Sequence, residues 1–156
     1  MRHGEAVDPR HAATDSQRHL SERGRADSRV VATLMSGHGF VPTHVYTSPF
    51  VRALQTAEVV AHVLDLDGPI PTHPPLVPGG TIMALSILDA HHSEDRVLLV
   101  SHEPTVRVLS AHLARFDFPG FPTSGVAIFE LGEANRFIGR IDPRVRELRG
   151  PTDLAY

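Results

Sequence analysis

Apolar and polar positions along this chain switch between two periods. After Leu20-Ser21-Glu22, the residues Val30, Val31, Leu34 and Met35 recur at helical spacing, so a helix is predicted from an N-cap at Ser21 to Gly37-His38-Gly39. Thr43 to Thr47 reads as a strand. From Pro49 a second helix carries Leu54, Ala57, Ala61 and Leu64 on one side, and Gly68-Pro69 stops it. Residues 68–80 are rich in proline and glycine and predict a loop, with a short extended stretch near Ile70. A third helix is expected over Thr81 to His91. Arg96 to Ser101 encloses Val-Leu-Leu-Val, the unbroken apolar run of a buried parallel strand. A fourth helix starts at Pro104, with Val106, Leu109 and Leu113 on one face. Gly125 to Leu131 and Arg136 to Ile141 close the pattern as two strands joined through Gly132-Glu133-Ala134-Asn135.

Strands and helices alternate, so the expected class is α/β: a three-layer α/β/α sandwich around a largely parallel central sheet, in one domain spanning 1–156. Ligands of such sheets bind beyond the carboxyl ends of the strands. Composition narrows the picture. With 41% hydrophobic and 21% charged residues, a chain of 156 residues is an ordinary globular one and neither disordered nor collagen-like. No apolar run is long enough to cross a bilayer, and Met-Arg-His-Gly-Glu is not the start of a signal peptide. A net charge of −3 argues against nucleic acid as a partner. A cytoplasmic protein with no membrane partner is the default expectation.

Cysteine is absent, which removes disulfides, thiolate metal sites and cysteine nucleophiles. All 15 basic residues are arginine, the side chain that forks onto phosphate and stays charged. The 11 histidines show no His-Glu-x-x-His pattern, and His91-His92 falls at a polar helix end, so no metal and no cofactor is expected. Ser48 and Ser101 lack the Gly-x-Ser-x-Gly elbow of a serine hydrolase.

The chemistry gathers where strands give way to helices. Val97-Leu98-Leu99-Val100-Ser101 delivers His102, and Pro104 then sets up a helix whose free N–H groups favour an anion. Arg2-His3-Gly4-Glu5 stands at the chain start, with Gly4 letting the backbone come close to a ligand. In Thr47-Ser48-Pro49-Phe50-Val51-Arg52-Ala53-Leu54-Gln55-Thr56 a strand passes into a helix with Arg52 on its first turn. Two arginines and two histidines can thus converge on one anion. These three segments in this order resemble the histidine phosphatase superfamily, the phosphoglycerate-mutase-like proteins. Leu20-Ser21-Glu22-Arg23-Gly24, the compact Leu76-Val77-Pro78-Gly79-Gly80 and Pro122-Thr123-Ser124-Gly125 resemble its small SixA-type phosphohistidine phosphatases.

The resemblance implies a phosphoglycerate-mutase-like fold and a metal-independent phosphatase. His3 would be the nucleophile, forming a phosphohistidine enzyme that water hydrolyses. Arg2, Arg52 and His102 would hold the equatorial oxygens of the transferring phosphoryl group. Arg18 sits where small members carry a further phosphate-binding arginine. His102 is expected to be protonated for part of its work, favoured by Glu103 and by the phosphate.

Two departures shape the expectation. Larger members carry an acidic residue before the third helix, whereas no acidic residue lies between Asp67 and Asp89 here. A protonated phosphoimidazole releases neutral imidazole, whose conjugate acid has a pKa of about 6.5, and needs such an acid less than an alkyl ester does. Phosphohistidine on a partner protein, such as a histidine phosphotransfer domain, therefore fits best, unless Glu5, Asp8 or Glu103 takes the acid's place. A small phosphorylated substrate, or phosphohistidine binding without turnover, are the alternatives. The second departure is that only Met1 precedes Arg2, where the family has an apolar central strand. The first strand is thus expected to be truncated, leaving two unpaired neighbours and a slot in the core. That loss is large against a net stability of roughly 5–15 kcal/mol. Either a natural start lies upstream, the favoured expectation, or another segment fills the slot.

Overall fold

The computed structural model describes residues 1–151. Its helices are α1 (Glu22–Gly37), α2 (Val51–Val63) and α3 (Thr105–Ala114), and its strands are β1 (His44–Thr47), β2 (Val97–Val100), β3 (Val126–Glu130), β4 (Arg136–Ile141) and β5 (Leu148–Arg149). Ser21 caps α1 as expected: its hydroxyl accepts the Gly24 N–H at 3.0 Å, satisfying a donor that every helix start leaves free.

Period two in the strands produces the layers. Val45, Leu98 and Val100 pack with Val31, Met35, Ala57 and Val60 of α1 and α2, while the intervening Tyr46 and Leu99 pack with Leu76, Ala84 and Leu109 on the other side. Val126, Ile128 and Ile141 join the first cluster and Phe137 packs with Val106, Phe118 and Phe121; Phe137 and Ile141 of β4 fall on different sides because the β3–β4 register shifts between Ile128 and Phe129. Helices cover both faces, as the α/β class requires. No helix among the described residues is long and apolar enough to cross a membrane.

The sheet is less parallel than the alternation of elements suggested. β1 and β2 pair in parallel from His44 with Val97 to Thr47 with Val100, and single parallel bridges add Arg2 to Ser101 and Thr47 to Thr72. β3, β4 and β5 form an antiparallel meander, because the turn at Gly132–Asn135 returns the chain at once with no crossover helix. β5 and the short 3-10 turns Pro9–His11 and Asp15–Gln17 carry no periodic signal in the sequence. The helix expected over Thr81 to His91 is a 3-10 run, Ile82–Ala90. Its apolar residues do not collect on one stripe and only Ala84 is buried, so packing does not impose the α-helical period.

Met1 to His3 occupy one end of a central strand position. The Met1 amine donates to the Leu99 carbonyl at 2.8 Å, Ser101 N–H to Met1 and His3 N–H to Ser101 at 2.9 Å each, and Arg2 N–H to Gly125 at 2.8 Å. Beyond Met1, β2 and β3 are not hydrogen-bonded neighbours. Between them lies the expected slot, a cavity of about 870 Å³ lined by Val97, Leu98 and Leu99 on one side and Val126 to Leu131 on the other. Among the described residues no other segment fills it. Burial drives the Met1 amine from the usual 8.0 to about 5, since a cation in that position has lost its water.

Candidate active site

The three motif segments meet at the carboxyl ends of β1 and β2, beside residues 1–3. The Ser101 bridge aligns His3 with the end of β2, and the Ser124 N–H donates to the His3 carbonyl at 3.0 Å. Ser48 follows β1 and its N–H donates to Val100 at 3.0 Å, which brings the start of α2 against His102. Gly4 is required by packing rather than by a ligand: a Cβ there would lie 2.8 Å from the Gly24 carbonyl and 2.9 Å from Ser28 Oγ. The glycine lets α1 press on the motif loop, and its own N–H donates to Thr56 Oγ1 at 2.9 Å.

His3 is held from both ring nitrogens. Nδ1 is 2.7 Å from the Gly4 carbonyl, which can only accept, so the proton sits on Nδ1. Nε2 then presents a lone pair and accepts from Arg52 Nε at 3.2 Å. Burial is the main cause that drives the His3 pKa down to about 4, with Arg52, Arg2 and Arg18 adding to it and the Gly4 carbonyl opposing. His3 is therefore neutral near pH 7, the form a nucleophile needs.

His102 lies with its ring centroid 4.9 Å from that of His3 and edge-on to Phe50 at 5.1 Å. Its Nε2 is 2.8 Å from Ser48 Oγ, and its Nδ1 is buried without a partner among the described residues. The ligand-free site does not favour the imidazolium expected of it: burial, then His3 and Arg52, push its pKa to about 3. Nor does Glu103 support that charge, because its Oε1 pairs with Arg107 at 3.2 Å. The positive charge of the site sits on the arginines.

Arg2, Arg18 and Arg52 line one cavity of about 370 Å³ with His3 and His102. Arg52 is only 5% exposed. Beyond His3 it donates through Nη1 to the Asp15 carbonyl at 2.6 Å and through Nη2 to the Asp15 carboxylate at 3.0 Å. Arg18 donates to the same carboxylate at 3.0 Å and to the Val7 carbonyl at 2.9 Å. Arg2 Nη1 donates to the Phe121 carbonyl at 2.6 Å, and its Nε is buried with no partner among the described residues. The orphaned Nε–H of Arg2, beside a neutral imidazole and two further guanidinium groups, suits an oxyanion.

All five residues singled out from the sequence thus border one cavity, whereas Asp15 was not foreseen. It lies in the polar stretch Ala13-Thr14-Asp15-Ser16-Gln17, and only the 3-10 turn Asp15–Gln17 folds it over the arginines. Arg18 first, then Arg52, hold its carboxyl below the usual range. Glu5 and Glu103 also line the cavity, while Asp8 pairs with Arg10 instead. Glu103 Oε2 is buried without a partner among the described residues. Ser124 points away, its Oγ 3.0 Å from Ser28 Oγ, and Thr123 takes the lining position.

Comparison with known proteins places the sequence and the fold among the histidine phosphatases. The sequence profile of the Histidine phosphatase superfamily (branch 1) matches residues 1–76. Phosphohistidine phosphatase SixA of Escherichia coli (strain K12) is 38% identical over 138 residues, which span 86% of this chain and 84% of that protein. A solved structure of the protein histidine phosphatase SixA complexed with tungstate superposes with a TM-score of 0.84 at 35% identity, covering 94% of this chain and 97% of that one. The mitochondrial serine/threonine-protein phosphatase Pgam5 of Drosophila mojavensis is 32% identical over 89 residues, 49% of this chain and 30% of that protein.

Proposed function

The chain belongs to the histidine phosphatase superfamily, and we propose that it removes phosphate from phosphohistidine on a partner protein through a covalent phosphoryl group on His3. One observation carries the reading: His3 keeps its proton on Nδ1, leaving Nε2 as an acceptor held by Arg52, and the ring borders a cavity that Arg2, Arg18, Arg52 and His102 also line.

The chemistry balances without a metal. Nε2 of His3 attacks phosphorus as the bond to the substrate imidazole, protonated on its other ring nitrogen, breaks, and that bonding pair returns to the departing nitrogen so that neutral imidazole leaves. His3 becomes a phosphoimidazolium, whose Nδ1–H still donates to the Gly4 carbonyl. Water then attacks phosphorus and releases phosphate, restoring His3. Arg2 and Arg52 meet the charge on the equatorial oxygens, so most of the catalysis is preorganised electrostatics. His102 contributes a ring N–H to the same group, and a bound phosphate dianion counteracts the burial that keeps it neutral. Asp15 must give up part of its hold on Arg52 when phosphate arrives.

A protein-borne phosphohistidine suits an open cavity and a site whose loop 68–80 supplies no acid. One observation favours a second reading, a small-molecule phosphomonoesterase: Glu103 borders the cavity with its Oε2 buried and without a partner among the described residues, a carboxyl group that would protonate an alkoxide in that reading. The test is a substrate panel of a phosphorylated histidine phosphotransfer domain, sugar phosphates and an aryl phosphate, run with wild type and Glu103→Gln. The proposed function requires the phosphohistidine protein to have the highest kcat/KM and to tolerate Glu103→Gln. Preference for sugar phosphates, with a rate that collapses in Glu103→Gln, would replace it by the second reading.

A further inference from the structure

At the opposite end of β1 and β2 from His3, two imidazoles and a carboxylate converge. His44 is the first residue of β1, His91 caps the 3-10 run Ile82–Ala90, and Asp95 lies in the turn leading into β2. From Asp95 to Ser101 the chain advances roughly 20 Å along the strand direction, so this cluster is separate from the phosphate cavity. His91 Nδ1 is 3.1 Å from Asp95 Oδ2, and His44 Nδ1 is 4.0 Å from Asp95 Oδ1. The two rings stand 4.5 Å apart, and one ligand atom from each of the three residues lies within 4.8 Å of the others.

We propose that His44, His91 and Asp95 form a binding site for one zinc-class divalent cation. Two neutral imidazoles with one carboxylate are a borderline-soft donor set, suited to zinc or cobalt rather than to calcium or magnesium, which take oxygen ligands. A water completes a four-coordinate shell. The ligands stand on firm supports. His91 Nε2 meets the Tyr46 hydroxyl at 3.0 Å, which orients the ring and leaves Nδ1 for the ion, the outer partner that metal-bound histidines usually have. Asp95 accepts the His92 N–H at 3.0 Å. Thr43 ties the start of β1 to the lead of β2, donating its N–H to the Arg96 carbonyl at 2.8 Å and accepting the Arg96 N–H on Oγ1 at 3.0 Å.

Bonds of about 2.0–2.1 Å place ligand atoms closer together than they stand here. The adjustment falls to His44, whose side chain is 45% exposed and exchanges the contact of its Nδ1 with Thr43 Oγ1 at 3.0 Å for the ion, while His91 at 10% stays fixed. An ion pair between His91 and Asp95 explains two of the three residues and leaves unexplained why the His44 ring is tilted at 59° against that of His91 with its Nδ1 turned toward the same carboxylate at 4.0 Å. A bound cation joins all three, stapling the turn at 91–95 to β1. This site takes no part in phosphoryl transfer.

The test uses full-length protein stripped with a chelator. Cobalt(II) is titrated with its visible absorption as readout, zinc displaces it, and the unfolding midpoint is followed with and without zinc. One equivalent of cobalt with tetrahedral-type bands, displaced by zinc, and a zinc-dependent rise in the midpoint are expected. His44→Ala and Asp95→Asn should weaken binding by about tenfold or more and lose the thermal shift, with circular dichroism and aryl phosphate turnover unchanged. No saturable binding, or binding that persists unchanged in both variants because other histidines hold the ion, would overturn the proposal.

Discussion

Arg52 Nε donates to Nε2 of His3 across 3.2 Å, while Nδ1 of the same ring donates to the Gly4 carbonyl at 2.7 Å. The pair fixes both the tautomer of the nucleophile and its direction, and it joins the start of α2 to the chain start. Arg52 thus acts twice, positioning His3 and meeting the phosphoryl oxygens. Arg52→Ala should lower kcat by about 10²–10³-fold, the usual loss for one transition-state donor. Arg52→Lys should recover little, because an ammonium cannot reproduce the fork. Steady-state kinetics on a phosphorylated histidine phosphotransfer domain checks both, and near-native rates would remove Arg52 from the clamp.

Asp15 occupies the fork of Arg52 in the ligand-free site, with contacts of 2.6 and 3.0 Å. An incoming phosphate competes with it. Asp15→Asn should tighten inhibition by inorganic phosphate by about threefold to tenfold, a modest effect because the carboxylate is more than half exposed. Weaker inhibition would mean that Asp15 aims the arginines rather than competing for them.

The low pKa values of His3 and His102, about 4 and about 3, set the sign of a pH effect. Unfolded, both rings take up protons near pH 6.5; folded, they resist protonation until far lower pH. The unfolded state therefore binds more protons between about pH 4 and 6.5, and stability falls as pH falls through that window. The Met1 amine, at about 5 against 8.0, extends the same trend to pH 8. Unfolding midpoints should climb from pH 5 to pH 8, and the slope should lessen in His102→Gln. A midpoint independent of pH across this range would show that these groups titrate normally.

The cavity of about 870 Å³ lies between β2 and β3, which pair with β1 and β4 on their other sides and not with each other. A short extended apolar segment fused ahead of Met1 should enter it, pairing with Val97 to Leu99 and moving the terminal amine into water. Differential scanning calorimetry should show a raised unfolding midpoint, and a polar segment of equal length should not. Equal effects from both would exclude strand insertion.

The four motif residues Arg2, His3, Arg52 and His102 were legible because each stands where a strand ends or a helix begins, a position that topology alone brings to one edge of the sheet. Arg18 joined them through the family resemblance. Asp15 was not legible, since a polar loop without periodicity does not show where its short turn will fold. His44 and Asp95 escaped for a different reason: they are brought together by the parallel register of β1 and β2 and lie far apart in sequence. The burial of His102, at 1% exposure, was not legible either, and it is the main cause that lowers the pKa of the ring to about 3. The 3-10 run Ile82–Ala90 was read as an α-helix because its composition is helical although its packing is not.

The covalent role of His3 is tested most directly by mixing the protein with a phosphorylated histidine phosphotransfer domain, in the presence of a chelator, and stopping the reaction within one turnover. Mass spectrometry of the alkali-quenched protein should find a phosphoryl group on His3 that decays as phosphate is released. In His3→Ala, with an unchanged circular dichroism spectrum, both the adduct and the turnover should disappear. Turnover retained by His3→Ala would contradict the account.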